Sequence, residues 1–164
     1  HYFLIEGLKE LTNYITDFKV LLVGEGEEQS FIKEKVKEYS LEDHIFFLGY
    51  RKDIPEILAA TDIYVSPSKK EAISFSIIEA LSCGVPVVAT DVGGVPEILE
   101  KGNGGVLIPF GDTKGFVEAV VKLNNNSLYY NSIKLNCRDI VLKNFSKYKM
   151  LEETYNLYCE LMEE

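Results

Sequence analysis

Short β-branched runs alternate with amphipathic helical stretches along most of this chain, and that alternation restricts the folds open to it more than any other feature. Runs at 19–23, 44–48, 63–66, 86–90 and 106–108 are mostly apolar on both faces, as strands of a parallel sheet covered on both sides are. Between them lie helical patterns. The segment 29–39 carries Ile32, Val36 and Tyr39 on one face, and 53–60 carries Ile54, Ile57 and Leu58. Segments 75–83 and 95–99 follow, then 114–123 with Phe116, Val117, Val120 and Val121; that spacing turns one helix face toward a sheet. Repeated βα units with short connections predict a doubly wound, mainly parallel α/β sheet in a single domain spanning 1–164. After Ile108 no strand pattern returns. Two C-terminal helices are predicted at 127–143 and 147–162, the second with Leu151, Tyr155, Tyr158 and Met162 along one face. Residues 2–16 read as a helix with no strand ahead of it, so the sheet is expected to lack its first strand.

Composition narrows the function. The chain has 164 residues, 46% of them apolar and 26% charged, as in a soluble globular domain. Its net charge of −9 argues against nucleic acid or an anionic membrane surface as the main partner, since both reward clustered Lys and Arg. A small anion held by backbone amides at a helix start remains compatible. No apolar run approaches the length of a membrane span. Cys83, Cys137 and Cys159 show neither metal-ligand nor CxxC spacing and read as reduced, half-buried thiols of a cytoplasmic protein. An Asp-x-Asp pair, a metal-spaced His/Cys/carboxylate cluster and a Gly-x-Ser-x-Gly elbow are all absent, which disfavours metal-dependent transfer and serine-type hydrolysis.

In a doubly wound sheet, ligands collect at the carboxyl ends of the strands. Gly24-Glu25-Gly26 ends the first strand, Gly49-Tyr50-Arg51 the second, residues 66–71 the third and residues 91–97 the fourth. The third is the most informative. Glu71 falls in the loop, Ser74 is available as a cap, and a helix is expected to start near Phe75. Free N–H groups around Ile73, Ser74, Phe75 and Ser76 then face the strand edge, with a dipole that favours a diphosphate. Glu79 is expected inside a buried helix, where a bare charge is costly. A ribose offering two hydroxyls would compensate it, and Glu71 would reach an attached hexose. Plainer readings stand beside these. Glu79 pairs equally well with a distant Lys or Arg, and Glu71 alone is an ordinary first-turn acid. Arg51 is balanced between a ligand and Asp53. Gly93-Gly94 by itself is a turn before Pro96, and Lys69-Lys70 a wet loop.

Taken in order, the segments resemble the donor half of GT-B retaining glycosyltransferases, glycosyltransferase family 4. The matching pieces are Leu-Leu-Val-Gly-Glu-Gly at 21–26, Ile-Phe-Phe-Leu-Gly-Tyr-Arg-Lys-Asp-Ile-Pro at 45–55, Leu-Ala-Ala-Thr-Asp-Ile-Tyr-Val-Ser-Pro-Ser at 58–68, residues 71–90, and Val-Gly-Gly-Val-Pro-Glu-Ile-Leu at 92–99. The resemblance covers about residues 1 to 125. It implies a Rossmann-like sheet, the C-terminal domain of a GT-B enzyme. It also implies metal-free transfer of a hexosyl unit from a nucleoside-diphosphate sugar, UDP-sugar favoured, to a glycan or glycolipid, with no cofactor. The family's paired glutamates map onto Glu71, near the anomeric centre, and Glu79, on the ribose. The amides of Ile73, Ser74, Phe75 and Ser76 would touch hexose and diphosphate. Gly24 and the turn of Gly49, Tyr50 and Arg51 would lie along the base. Ala72 stands where the family often has Gly or Pro, and Ser74 where it often has Gly, but each is small and keeps a usable N–H.

The resemblance further implies an N-terminal acceptor-binding domain, a first strand and a basic Arg/Lys pair, none of which this sequence contains. The expectation is therefore a fragment of a two-domain enzyme, inactive alone, that is cytoplasmic and reaches a membrane only peripherally through the missing half. The alternative is a non-catalytic nucleotide-sugar-binding subunit of a two-chain transferase. A signalling receiver with a similar αβ order is discounted: Asp91 stands at a strand tip, but no acidic pair accompanies it at the first strand.

Overall fold

The computed structural model describes residues 1–163, with side chains other than those of Lys101 and Glu163. The order is α1 (Tyr2–Leu11), β1 (Val20–Val23), α2 (Gln29–Glu38), β2 (Ile45–Gly49), α3 (Ile54–Ala59), β3 (Tyr64–Ser66), α4 (Phe75–Ser82) and β4 (Val87–Thr90). Then come α5 (Val95–Ile98), a 3-10 turn (Glu100–Gly102), β5 (Gly105–Ile108), α6 (Thr113–Asn125), α7 (Ser127–Asn144) and α8 (Lys147–Glu163). Each expected strand is present, shifted by a residue at most. The first helix is shorter than its apolar pattern predicts. Thr12 turns its hydroxyl back to the Lys9 carbonyl (2.7 Å), and the amides of Asn13 and Tyr14 make three-residue turns, ending α1 at Leu11.

Every strand pairing is parallel, but the strands form two sheets rather than one: β1 with β2, and β3–β4–β5 with β4 central. One edge of β1 and one edge of β3 therefore carry no ladder among the described residues. Burial follows from this. All four residues of β4 are buried, whereas Leu21, Val23 and Phe46 of the two-stranded sheet are exposed, short of the two-sided cover their apolar character predicts. Helices α4 and α6 pack onto the β3–β4–β5 sheet: α4 buries Ile77, Ala80 and Leu81, and α7, which packs on α4, buries Ile133, Cys137 and Ile140. Helix α1 packs against α6, where Gly7 makes room for Phe116. A Cβ on Gly7 would sit 2.4 Å from that ring.

Two expectations about single residues change. The cysteines are not alike: Cys137 is fully buried, with burial pushing its thiol up to about 11, whereas Cys83 is exposed. In α8 the apolar stripe is real but uncovered, with Leu151, Tyr155, Tyr158 and Met162 all exposed. Among the described residues no helix is long and apolar enough to cross a membrane.

Candidate functional site

The strand tips converge as parallel βα topology requires, in two groups. In the first, the Gly24 amide donates to the Gly49 carbonyl (2.8 Å), tying the ends of β1 and β2. Tyr50 stands beyond that junction with 72% of its surface exposed. Arg51, next in the chain, is engaged by Asp53. Its Nε donates to Asp53 Oδ1 (2.8 Å), and its second nitrogen bonds Asp53 Oδ2, a fork that raises the guanidinium pKa and lowers the carboxyl pKa. The balance between ligand and ion pair thus falls to the ion pair.

The second group is built on β3 and α4. Buried Thr90, at the end of β4, donates its hydroxyl to the Ser68 carbonyl (2.5 Å) and pins the loop that leaves β3. The next strand-tip loop holds the far side. Gly93 has φ +54°, and a Cβ there would lie 1.6 Å from the Glu71 carbonyl oxygen; the Gly94 amide donates to the Ala72 carbonyl (3.1 Å). Gly93-Gly94, read from sequence as a plain turn, is the seat on which the Glu71 loop rests.

Ser74 occupies the N-cap of α4 in an extended conformation, but its hydroxyl does not cap. It lies 3.1 Å from the Ser76 hydroxyl instead. Among the described residues the amides of Ile73, Ser74, Phe75 and Ser76 enter no turn or cap hydrogen bond, the condition under which a helix start attracts an anion. Ile73 (58% exposed) and Phe75 (75% exposed) form an apolar rim beside them. Tyr64, Lys69, Glu71, Ser74, Ser76 and Phe110 line a cavity of about 510 Å³.

Glu79 corrects a sequence expectation. It is exposed, because α4 buries Ile77, Ala80 and Leu81 and leaves Ser76 and Glu79 on its open face. The carboxylate meets solvent and requires no compensating partner, and among the described residues it makes no ion pair. It does not line the cavity, although both it and Glu71 act electrostatically on the Tyr64 phenol. Three contributors went unread in the sequence: Tyr64, a hydroxyl within a β-branched strand; Thr90; and Phe110, which follows β5 as the other tip residues follow their strands. Among the described residues no group of three or more His, Cys, Asp or Glu side chains is placed to hold a metal.

This arrangement of parallel strands and helices is that of GT-B glycosyltransferases. Anabaena Alr3699/HepE, solved with UDP (TM-score 0.88) and with UDP-glucose (0.86), is 27% identical, over 98% of this chain and 45% of that one. The chain belongs to the family glycosyl transferases group 1, whose model matches residues 1–126. It is 33% identical to N-acetyl-alpha-D-glucosaminyl L-malate synthase of Bacillus anthracis, over 89% of this chain and 38% of that protein. It is 30% identical to UDP-Gal:alpha-D-GlcNAc-diphosphoundecaprenol alpha-1,3-galactosyltransferase of Escherichia coli, over 92% and 39% respectively. The chain thus spans about two fifths of the length of these curated relatives.

Proposed function

We propose that this chain is the donor-binding half of a retaining glycosyltransferase that moves a hexosyl unit from a UDP-sugar to a glycan or glycolipid acceptor. The observation that carries the reading is the shared cavity: one acid, Glu71, and the free start of α4 open into the same space at the strand tips. The diphosphate would lie on the amides of Ile73, Ser74, Phe75 and Ser76, where partial positive charge requires no reorganisation as the leaving group gains electrons. Glu71 would orient the hexose and stabilise the positive charge that develops at its anomeric carbon, acting by electrostatics and without a covalent bond. The exposed Glu79 would take the ribose hydroxyls. Gly24, Gly49 and Tyr50 would flank the base. Arg51, held by Asp53, would reach it only if that pair opened. The HepE complexes and the named donor of the E. coli relative support uridine as the base.

The acceptor site and the cations that neutralise the diphosphate would come from protein outside this chain, and any contact with a membrane would be peripheral and come from there too. If two cationic hydrogen bonds to the diphosphate come from outside this chain, at roughly 1.5–3 kcal/mol each, the chain by itself would bind the donor more weakly by several orders of magnitude. The chain alone is therefore expected to bind UDP feebly and to transfer nothing, and added chelator is expected to change neither result. Titration of the 164-residue chain with UDP, GDP and ADP, followed by backbone amide NMR, tests this. Shifts at 24, 49 and 73–76, largest with UDP, are expected. An unperturbed spectrum at millimolar UDP overturns the assignment, and robust turnover by the chain alone overturns its division of labour.

A further inference from the structure

We propose that Glu100 and Asn144 are positioning residues for Glu71: their hydrogen bond braces the turn that seats the Glu71 loop against α7. The tether is a contact of the fold, and its catalytic meaning rests on the donor-site reading above.

Glu100 has a backbone φ of +44°, in the left-handed region that residues with a side chain rarely occupy. Glycine takes that conformation without strain, and Gly102 and Gly104 stand close by in the chain. A glutamate held there implies that its side chain is needed. Asn144, the last residue of α7, donates from its Nδ2 to Glu100 Oε1 (2.5 Å), and Lys143 Nζ lies 4.0 Å from the same oxygen.

From Glu100 the path to Glu71 is short and hydrogen-bonded. The Leu99 amide donates to the Val95 carbonyl (3.0 Å) and the Ile98 amide to the Gly94 carbonyl (3.1 Å), so the turn carrying Glu100 continues directly from α5. Gly94, at the N-cap of α5, donates to the Ala72 carbonyl, and Gly93 abuts the Glu71 carbonyl. Val95, Ile98 and Leu99 are buried, so α5 passes a displacement at one end on to the other.

Helix α7 is the anchor. It packs along α4 and against Gly104, where a Cβ would lie 3.2 Å from Ile140 Cδ1. It therefore fixes two walls of the site relative to each other: α4, whose start presents the unengaged amides, and the α5 turn, which seats the acid. In the donor reading these hold the diphosphate and the hexose, the two groups between which the bond breaks. Their relative placement then governs rate more than affinity.

The test is amide NMR of the full chain carrying Glu100→Gly, Asn144→Asp or both, with Glu118→Gln on exposed α6 as control. Glycine accepts the φ of position 100 and aspartate keeps the shape of asparagine, so dispersed spectra are expected. Each single variant should shift the amides of Glu71 and Ala72 and speed exchange of the Gly94 amide about fivefold, the scale of one hydrogen bond. The double variant should add little. Glu100→Gln keeps the accepting oxygen and should leave these signals at their parent positions. In a protein that contains this chain and its acceptor half, Asn144→Asp should lower kcat about fivefold with KM for the donor unchanged. A lower urea midpoint with Glu71, Ala72 and Gly94 unmoved makes the contact merely structural and overturns the proposal, as does a change in KM alone. Absence of UDP shifts at 73–76 in the unmodified chain overturns the donor-site reading and the catalytic role with it, whatever the variants do to the Gly94 amide.

Discussion

Gly93 is packed so closely against Glu71 that the carbonyl oxygen of Glu71 lies 1.6 Å from where a Cβ on the glycine would be. The loop presenting the proposed anomeric-centre acid is therefore positioned by a residue more than twenty positions later in the chain. Gly93→Ala must displace that backbone and also hold alanine in the left-handed region, which alone costs about 1–2 kcal/mol. The expected result is a lower urea midpoint together with amide shifts at Glu71 and Ala72. Unmoved resonances at both would refute the seat.

Thr90→Val probes the opposite side of the same loop. Valine matches threonine in shape but cannot donate to the Ser68 carbonyl. A loss of about 1 kcal/mol in unfolding free energy is expected, with faster amide exchange along 67–70. An unchanged denaturation curve would mean that packing alone holds the loop.

The two acids should separate in a protein that contains this chain and its acceptor half. Glu71→Gln keeps the shape and removes the charge proposed to stabilise the transition state, so kcat is expected to fall about 100-fold or more with little change in KM. Glu79→Gln weakens two hydroxyl contacts and is expected mainly to raise KM for the donor. A reversal of these patterns would exchange the roles assigned to the acids.

Cys137 supplies a pH dependence of stability. Its thiol is neutral in the fold up to about pH 11, whereas a thiol in the unfolded chain ionises near its ordinary value of 9.0. Above the unfolded value the unfolded state releases a proton that the folded state keeps, so stability is full below about pH 9 and falls as pH rises toward 11. The loss approaches roughly 2–3 kcal/mol. Urea melts between pH 8 and 11 should lose this slope in Cys137→Ala. Over the same range, exposed Cys83 should react with iodoacetamide in the folded protein while Cys137 reacts only after unfolding.

Asp53→Asn releases Arg51 from its exposed ion pair. Thermal stability should hardly change, since such pairs are screened by water, and 0.5 M salt should mimic the substitution. If the freed guanidinium then reaches the base, UDP affinity should rise; an unchanged affinity would place Arg51 outside the site.

Much of the fold was legible because parallel sheets buried on both faces leave a local signature. The runs around Val20, Ile45, Val65, Val88 and Val106 each became a strand, and the i, i+3, i+4 stripes became the helices between them. The break between β1 and β3 agrees with the expectation that the sheet lacks its first strand; which edges it leaves without a ladder was not legible, because strand pairing depends on which edges meet and not on either strand's composition. Local pattern also overstated burial. Leu21 and Phe46 read like core residues but lie in the two-stranded sheet, and Glu79 was placed in a buried helix when α4 turns that face outward.

The amino-acid sequence by itself determined the order of βα units, the position of a helix start between two acids, and membership of the glycosyltransferase family, because these depend on spacings within a few turns of chain. Only the tertiary structure decided that Arg51 is committed to Asp53, that Gly93 seats Glu71, and that Tyr64 enters the same cavity as Ser74 and Ser76. Those relations join residues brought close by packing, and the energies that choose among them, steric exclusion and hydrogen bonding at a few ångströms, act only after the chain has folded.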